Sequence, residues 1–310
     1  MIKCYKKISN ELTIVENPEK DCWLNITAPT ELEISQICER YAIPSDFMTD
    51  SLDPDEIARL EFDEDNFLII SRIPVYDPAN PELPLYTVPL AVIVIANEAI
   101  LTVSSQENEL LHGLTDSRLG FTPYLRDKSI LQIFSRTIQL YIRYLKQIKV
   151  MISETETHLK KNMKNTELIR LFDLEKILIQ FRASLNSNYR MLQKMQRSRI
   201  FKLNEKESDL LDDIMIDNVQ ALETADIYSN ILNEMMDFFS SLLSNNLNQV
   251  MKFLTAVTIL ISIPTLITST FGMNVHLPFQ DSPHAFLFVA EISAGAVLVG
   301  IFLFFYRKWV

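Results

Sequence analysis

Glycine is scarce in this chain, where only five of the 310 residues are glycine. Average usage of about 7% would give roughly twenty. Phosphate-binding loops and dinucleotide fingerprints depend on closely spaced glycines, because the backbone must come close to the ligand. The sequence therefore has almost nothing from which such a site could be built.

Basic residues are also in short supply. Lysine and arginine together number 29 against 40 Asp and Glu, which gives a net charge of −11. Nucleic-acid-binding domains carry a basic surface, so this balance argues against nucleic acid as a partner. The four histidines form no HExxH or similar motif, and no nucleophile stands in a recognisable elbow. We therefore predict neither an enzyme nor an organic cofactor.

Charge is almost absent from the end of the chain. Residues 251–310 contain only five charged residues, and two apolar runs follow each other there, 253–271 without a charge and 285–306 with only Glu291. A bilayer core about 30 Å thick needs roughly twenty apolar residues in a helix. Either run alone could be a buried core helix. Two runs in tandem predict a transmembrane hairpin with spans at 253–271 and 285–306.

The residues that flank the two runs predict the orientation. Lys252 precedes the first run, Arg307 and Lys308 follow the second, and the intervening segment 272–284 contains no Lys or Arg. The positive-inside rule then predicts a multi-pass protein of the cell (cytoplasmic) membrane, with the N- and C-termini in the cytoplasm. All three cysteines fall in the cytoplasmic part, so reduced thiols are expected.

Proline marks a boundary within the cytoplasmic part. Ten of the thirteen prolines lie between Pro18 and Pro123, and residues 124–263 contain neither Pro nor Gly. Because these two residues are the main interruptions of helices, the second stretch should be almost wholly helical. The first stretch, 1–123, is predicted to be an α/β domain. Its expected strands are 12–15, 22–26, 67–76, 87–96 and 100–103, and Thr30 with Glu33 forms a capping box for a helix.

Three helices are predicted in the proline-free stretch. Two paired helices, at about 128–161 and 167–199, lie within 124–203, and a stalk helix at 204–271 starts at Asn204 and includes the first span. The remaining segments are an external loop at 272–284 and a basic C-terminus at 307–310. One apolar stripe follows the stalk helix: Leu232, Met236, Phe239, Leu243, Leu247, Val250 and Leu254. This stripe must be buried against partner copies or against the two preceding helices.

A polar stripe follows the first span. Thr258, Ser262, Thr265 and Ser269 are spaced four, three and four residues apart, so they share one helical face, which continues downward to Met251 and Asn248. Small hydroxyl residues in lipid can simply allow close helix packing and bond back to carbonyl groups. A full-length polar stripe on an oligomerising helix can instead line a water-filled pathway.

The tripeptide Gly272-Met273-Asn274 follows the first span directly. By itself it indicates a helix stop, with Gly272 in the left-handed region. With its position and the segments SNNLNQVMKFLT (244–255) and the terminal KW, the chain resembles the CorA-type magnesium transporter family, the two-span divalent cation channels with a GMN motif. The resemblance extends more loosely through 165–178 and 59–77.

The resemblance implies a homopentamer in the bilayer, with a cytoplasmic α/β funnel, a stalk helix that continues into a pore-lining first span, and an outer ring of second spans. It implies Mg²⁺ uptake gated by intracellular Mg²⁺, which is both the transported ion and the regulatory ligand. The implied pore mouth is Gly272, Met273 and Asn274. The implied pore lining is Asn248, Met251, Leu254, Thr258, Ser262, Thr265 and Ser269, and the implied regulatory metal site is Asp213 with Asp77.

Two positions depart from the family pattern. Phe271 replaces the usual Tyr before the motif, and Ser262 stands where a well-known member narrows its pore with Met. A hydrophobic gate would then rest mainly on Met251 and Leu254. The sequence leaves open a zinc or cobalt/nickel transporter of the same family. From another class, a membrane-anchored helical scaffold or sensor also remains.

Overall fold

A computed structural model describes residues 1–8, 11–16, 18, 20–63, 66–81, 83–95, 99–115, 121–161, 165–198, 200–201, 203–273 and 283–307. By its internal contacts the chain divides into two compact units, Met1–Glu234 and Met235–Val310. The first unit holds a sheet and the helices packed on it. The second holds the two apolar runs.

A seven-stranded mixed sheet forms the centre of the first unit. Its strands are β1 (Ile2–Ile8), β2 (Glu11–Val15), β3 (Cys22–Thr27), β4 (Arg59–Asp63), β5 (Asn66–Tyr76), β6 (Leu85–Ile95) and β7 (Ala99–Ser104). The spatial order is β2-β1-β3-β7-β6-β5-β4. Only β3 and β7 pair in parallel; the other neighbours are antiparallel.

Five of these strands were predicted, and all five are confirmed. Strand β6 is buried at every position except Tyr86, as expected for an interior strand covered on both faces. Strands β1 and β4 were not predicted. In IKCYKKI and RLEFD the apolar residues are interrupted by charged ones, and β4 lies at the edge of the sheet, so neither has a clear apolar run.

Helices cover both faces of the sheet. On one face, α1 (Glu31–Tyr41) and α2 (Ser45–Thr49) place Ile37, Phe47 and Met48 against β3, β5, β6 and β7, and a short 3-10 turn, Asp50–Leu52, follows α2. The predicted capping box of Thr30 and Glu33 is confirmed at the start of α1. The helix α3 (Glu109–Leu114) follows β7. On the other face lie α4 (Arg126–Lys161) and α5 (Asn165–Arg197), close to the predicted bounds of the paired helices.

The long helix α6 (Glu205–Phe271) is confirmed as one continuous element with Pro264 inside it. It starts with a capping box in which the Glu207 amide donates to Asn204 Oδ1 at 3.0 Å and the Asn204 amide donates to Glu207 Oε2 at 3.1 Å. Within the first unit, one side of α6 is buried against α5. The buried residues on this side are Leu211, Ile214, Asn218, Ala221, Ala225, Ser229 and Leu232.

The predicted apolar stripe of α6 has two different environments. Leu232 and Phe239 are buried within the chain, but Leu243, Leu247, Val250 and Leu254 are exposed by 42% to 63%. Packing against the chain's own helices therefore accounts for Leu232. The exposed lower part remains available for lipid or for other copies of the chain.

The second unit pairs α6 with α7 (Ala285–Tyr306), which carries the second apolar run. Both helices are long and apolar enough to cross a membrane. In each helix, only 6% of the apolar 18-residue stretch is buried. Neither apolar run is therefore a buried core helix within the single chain. Gly300 of α7 lies against α6, since a Cβ at this position would be 2.9 Å from Leu260 Cδ2, and Ala256 and Ser293 are buried.

The close contact at Gly300 predicts a specific effect on stability. We expect Gly300→Leu to separate α6 from α7 and to destabilise the protein by about 1–3 kcal/mol, the usual cost of overpacking a tight contact. Gly295→Leu is the matched control, because nothing lies within 4 Å of a Cβ at Gly295. Thermal unfolding of the detergent-solubilised variants checks this. Equal melting temperatures for the two variants would contradict it.

A candidate ion pathway

The polar stripe of the first span is exposed on α6. Thr258, Ser262, Thr265 and Ser269 are all exposed in the single chain. Thr258 Oγ1 donates to the Leu254 carbonyl at 2.8 Å, and Ser262 Oγ donates to the Thr258 carbonyl at 2.8 Å. Such back-bonding was expected if the hydroxyls serve helix packing. It also directs each hydroxyl proton toward the backbone, so that the remaining oxygen lone pairs are left to accept hydrogen bonds from outside.

The helix α7 leaves this stripe uncovered. Its Gly300 approaches Leu260 and Ile263 of α6, and at 100° per residue these positions lie on the side of the helix opposite Ser262 and Thr265. The two-helix unit therefore buries an apolar face of α6 and presents the hydroxyl face outward. This arrangement could not be predicted from the stripe alone, because tertiary packing determines which face of α6 contacts α7.

The lower part of the predicted pathway has the same exposure. Asn248, Met251 and Leu254 are all exposed, Met251 by 53% and Leu254 by 56%. All seven predicted pore-lining residues are thus accessible on α6. Met251 and Leu254 are the large apolar side chains among them.

At the upper end of α6, Gly272 and Met273 form the last described turn. The Gly272 amide donates to the carbonyls of Thr268 at 3.0 Å and Ser269 at 3.2 Å. The expectation of a left-handed Gly272 is wrong, because its φ lies outside that region and a Cβ would make only ordinary contacts, at 3.5 Å. The single chain therefore does not require glycine here. Asn274, the third residue of the motif, lies outside the described residues.

Asp213 and Asp77, the predicted regulatory acids, both belong to the first unit. Asp213 is exposed on α6, and its side chain makes no hydrogen bond or ion pair with any described residue, while its neighbour Asp212 accepts a hydrogen bond from Gln196 Nε2 at 2.7 Å. Asp77 follows β5 and is partly buried; its Oδ1 accepts from the Ala79 amide at 2.9 Å. The Asp77 amide donates to the Pro84 carbonyl at 2.7 Å. The backbone of Asp77 is thus fixed, and its second carboxylate oxygen is left for another ligand.

One chain does not contain a closed metal site at these acids. Within the described part, no three His, Cys, Asp or Glu side chains come together in a group that could hold a metal ion. A cation at Asp213 or Asp77 would therefore need further ligands from water or from another copy of the chain.

Arg72 is a connecting residue that sequence reasoning missed. Its Nη1 donates to the carbonyls of Pro54 and Glu56 at 2.8 and 2.7 Å, and its Nη2 donates to the Thr87 carbonyl at 2.8 Å. The Arg72 carbonyl accepts from Tyr141 of α4 at 3.0 Å and from Asn188 of α5 at 2.8 Å. Burial raises the pKa of the Tyr141 hydroxyl, so it remains a hydrogen-bond donor. Strand β5, which ends one residue before Asp77, is therefore hydrogen-bonded to both α4 and α5.

A charged cluster that was also missed lies near the end of β5. The Glu109 carboxylate of α3 pairs with Arg143 and accepts from the Tyr144 hydroxyl at 3.0 Å, and these side chains line a hollow together with Tyr76. The hydrogen bond from Arg143 lowers the pKa of Glu109. Burial raises the pKa of Tyr144 to about 12. Glu109 is thus ionised and Tyr144 protonated at neutral pH, which holds α3 against α4. No local pattern could have indicated a pair 34 residues apart.

Comparison with known proteins identifies relatives over nearly the whole chain. The CorA-like Mg²⁺ transporter protein family matches residues 19–308. The chain is 26% identical over 296 residues to the cobalt/magnesium transport protein CorA of Methanocaldococcus jannaschii, covering 93% of this chain and 91% of that protein. It is 20% identical over 296 residues to the magnesium transport protein CorA of Helicobacter pylori, covering 93% and 90%.

The fold also has a solved counterpart. The complete structure of the CorA magnesium transporter from Methanocaldococcus jannaschii matches with a TM-score of 0.86 at 24% identity, covering 100% of this chain and 99% of that chain. This likeness confirms the α/β domain, the long helix and the apolar helices at the C-terminus as one shared fold. The identity is too low for the structural match to show more than the fold.

Proposed function

The chain belongs to the CorA-like Mg²⁺ transporter family, and from this premise we propose that it is a channel for Mg²⁺ uptake across the cytoplasmic membrane. Members of this family are membrane transporters of divalent cations and not enzymes. In this protein the transported ion is Mg²⁺, it moves into the cell along α6, and intracellular Mg²⁺ regulates the flux. The N- and C-termini lie in the cytoplasm, as the basic residues that flank the spans predict.

The observation that carries the proposal is the position of the hydroxyl stripe opposite α7. An uncovered row of Thr258, Ser262, Thr265 and Ser269 presents hydrogen-bond acceptors that lipid cannot use but water can. In a ring of copies, the same row would face the axis and line a water-filled path. The ring would place α7 outside α6, where its apolar surface meets lipid.

The chemistry of the stripe suits a hydrated divalent ion. Mg²⁺ dehydrates reluctantly and usually retains several waters. Its waters donate hydrogen bonds, and the back-bonded hydroxyls of Thr258 and Ser262 have outward lone pairs to accept them. Side-chain carbonyls of Asn274 at the mouth and Asn248 at the inner end would do the same. Neutral acceptors bind the hydrated ion weakly enough for it to leave again.

The ends of the pathway have separate roles in this proposal. At the mouth, Gly272 allows the copies to approach closely around the Asn274 ring, which accounts for a glycine that the helix end itself does not require. At the inner end, Met251 and Leu254 are exposed apolar side chains. A ring of them forms a constriction that excludes water when it closes.

Regulation is assigned to Asp213 and Asp77 on neighbouring copies. Two carboxylates that face each other repel unless a cation lies between them. Intracellular Mg²⁺ that bridges them would stabilise a closed ring, and its loss would let the copies separate. The absence of a hydrogen-bond partner for Asp213 among the described residues supports this assignment.

Flux measurements test the proposed activity. The purified protein in liposomes should admit Mg²⁺, and excess Mg²⁺ should compete with Co²⁺, Ni²⁺ and Zn²⁺. A flux of Zn²⁺ or Co²⁺ that Mg²⁺ does not reduce would favour a transporter for those metals. No flux of any divalent ion would favour a membrane-anchored scaffold.

The exposed lower stripe of α6 predicts the assembly. Leu243, Leu247, Val250 and Leu254 are exposed in one chain, which indicates that copies associate, and the resemblance to the CorA family implies the number five, so we expect a homopentamer in detergent. Native mass spectrometry measures this directly. A monomer or dimer as the only species would contradict the proposed ring.

A further inference from the structure

The side of α6 that points away from α5 carries exposed isoleucines. Ile216 and Ile227 are exposed by 64% and 55%. They are eleven residues apart, so they lie on the same side of the helix, about 16 Å from each other along its axis. Asp213, Asp217 and Glu223 on or beside this side are exposed, and their side chains form no ion pair with any described residue. This side of α6, here named the isoleucine face, is therefore both apolar and acidic.

A hollow at the end of β5 offers a matching apolar surface. Tyr76, Val150 and Met151 line it, and Val150 is exposed by 56%. Along α4 the hollow extends from Arg143, which pairs with Glu109 of α3, to Glu154. This distance is again eleven residues, about 16 Å. The hollow is therefore as long as the separation of the two isoleucines.

The charge along α4 is opposite to the charge along α6. Residues 128–153 contain five basic and no acidic residues, while residues 207–237 contain nine acidic and no basic residues. The ion pair in the hollow neutralises Arg143. Lys146 and Lys149 are exposed and form no ion pair with any described residue, so they outweigh the single acid at the far end of the hollow. Opposite charges on two surfaces favour their contact and fix its register.

Helices α4 and α6 run in the same direction. Helix α4 is antiparallel to α5, because late residues of α4 contact early residues of α5. Helix α5 is antiparallel to α6, since Gln196 contacts Asp212 and Glu175 contacts Ser229. In a ring around an axis along α6, neighbouring copies keep the same height and direction. The isoleucine face of one copy can then lie along the hollow of the next over its full length.

We infer that the isoleucine face of one copy packs into the hollow of its neighbour, with Ile216 at the end that Tyr76 forms. This contact rests on the proposed ring of copies and specifies how the ring closes, because two different surfaces of one chain pair head to tail. Tyr76 directly precedes Asp77, and Ile216 lies one turn after Asp213. The contact therefore brings the two regulatory acids to the same end. Burial of Ile216 offsets the repulsion of these carboxylates when no cation lies between them.

Cysteine cross-linking of the full chain tests the contact. Gln147 lies four residues after Arg143, and Gln220 lies four residues after Ile216, so the register places these two exposed glutamines of neighbouring copies side by side. Gln147→Cys and Gln220→Cys are combined in a Cys38→Ser background, where the two remaining cysteines are buried. A short thiol cross-linker should then join the chains into a ladder that ends at the full ring. Co-expressed single variants should give linked pairs only.

A shifted cysteine checks the register. Glu234→Cys in place of Gln220→Cys keeps the thiol exposed near the same side of α6 but moves it fourteen residues, about 21 Å, along the helix. The linked product should then fall to the level of the uncoupled background. Equal linking from both positions would overturn the inference. So would an assembled protein that shows no link between Gln147→Cys and Gln220→Cys, the result expected if the isoleucine face binds another protein.

A substitution within the face measures the apolar contribution. Ile216→Asp, added to the linking pair, should slow cross-linking at least about tenfold, because it removes a buried isoleucine and adds a further acid. Ile179→Asp changes an isoleucine of α5 that is exposed by 52% and should leave the rate unchanged. An unchanged rate with Ile216→Asp would contradict the contact. Linking without Mg²⁺ flux would support the contact while the proposed transport fails, and flux without linking would overturn the contact alone.

Discussion

Asn274→Ala is expected to reduce Mg²⁺ uptake to the level of empty liposomes while the protein still assembles. The substitution removes a ring of side-chain carbonyls from the proposed mouth, where a hydrated ion must exchange hydrogen bonds with bulk water for hydrogen bonds with the protein. It leaves untouched the hydroxyl stripe and the contact between α7 and α6 at Gly300. The measurement is Mg²⁺ influx into proteoliposomes, with native mass spectrometry of the same preparation as the assembly check.

Asn245→Ala is the matched control for this prediction. Asn245 is an exposed asparagine of α6 that is not among the proposed pathway residues, and at 100° per residue it lies about 120° around the helix from Met251. Its loss should leave influx near the unmodified level. Normal influx through a correctly assembled Asn274→Ala protein would mean that the GMN tripeptide here only ends the helix.

The second large effect is expected for Asp213→Asn. If Mg²⁺ holds the closed ring by bridging Asp213 to Asp77, the ion must bind the closed state more tightly than the open one, since equal affinity would shift nothing. Removal of one carboxylate lowers this difference. The Mg²⁺ concentration that half-protects α6 from protease should rise at least about tenfold, which corresponds to about 1.4 kcal/mol of differential binding. Channel opening should become less sensitive to internal Mg²⁺.

Asp237→Asn serves as the control for charge alone. Asp237 is also an exposed acid of α6, and its position 24 residues after Asp213 places it on another face of the helix. A screened surface acid contributes little, so the midpoint of this variant should match that of the unmodified protein. Coincident midpoints for all three proteins would rule out Asp213 as a sensor ligand.

Most of the helical fold could be predicted because its determinants are local. The absence of Pro and Gly from 124–263 and the capping box at Asn204 account for α4, α5 and the start of α6. Strand β6 was predictable for a similar reason, since its apolar run is continuous. Strand β4 could not be predicted, because an edge strand such as RLEFD needs only a partner strand and not an apolar pattern.

The residues that position the candidate sites were harder to predict than the candidate residues themselves. The polar stripe and the acids are visible in the sequence as residue types at helical spacing. Arg72 and Asn188 are 116 residues apart and become neighbours only through the packing of α5 on the sheet. The exposure of Thr258 and Ser262 likewise depends on which face of α6 is covered by α7. The residue periodicity of α6 does not determine which face that is.

The back-bonded hydroxyls have a consequence for the sign of the ions that such a wall would accept. Thr258, Ser262 and Thr265 each give their only proton to a backbone carbonyl of their own helix. A row of these oxygens offers partial negative charge and no donor, so it can solvate a cation but not chloride or phosphate. The sign of the ion is then selected by fixed dipoles and not by ionised groups, and a wall without a titratable side chain would keep this selectivity unchanged as the pH outside the cell varies.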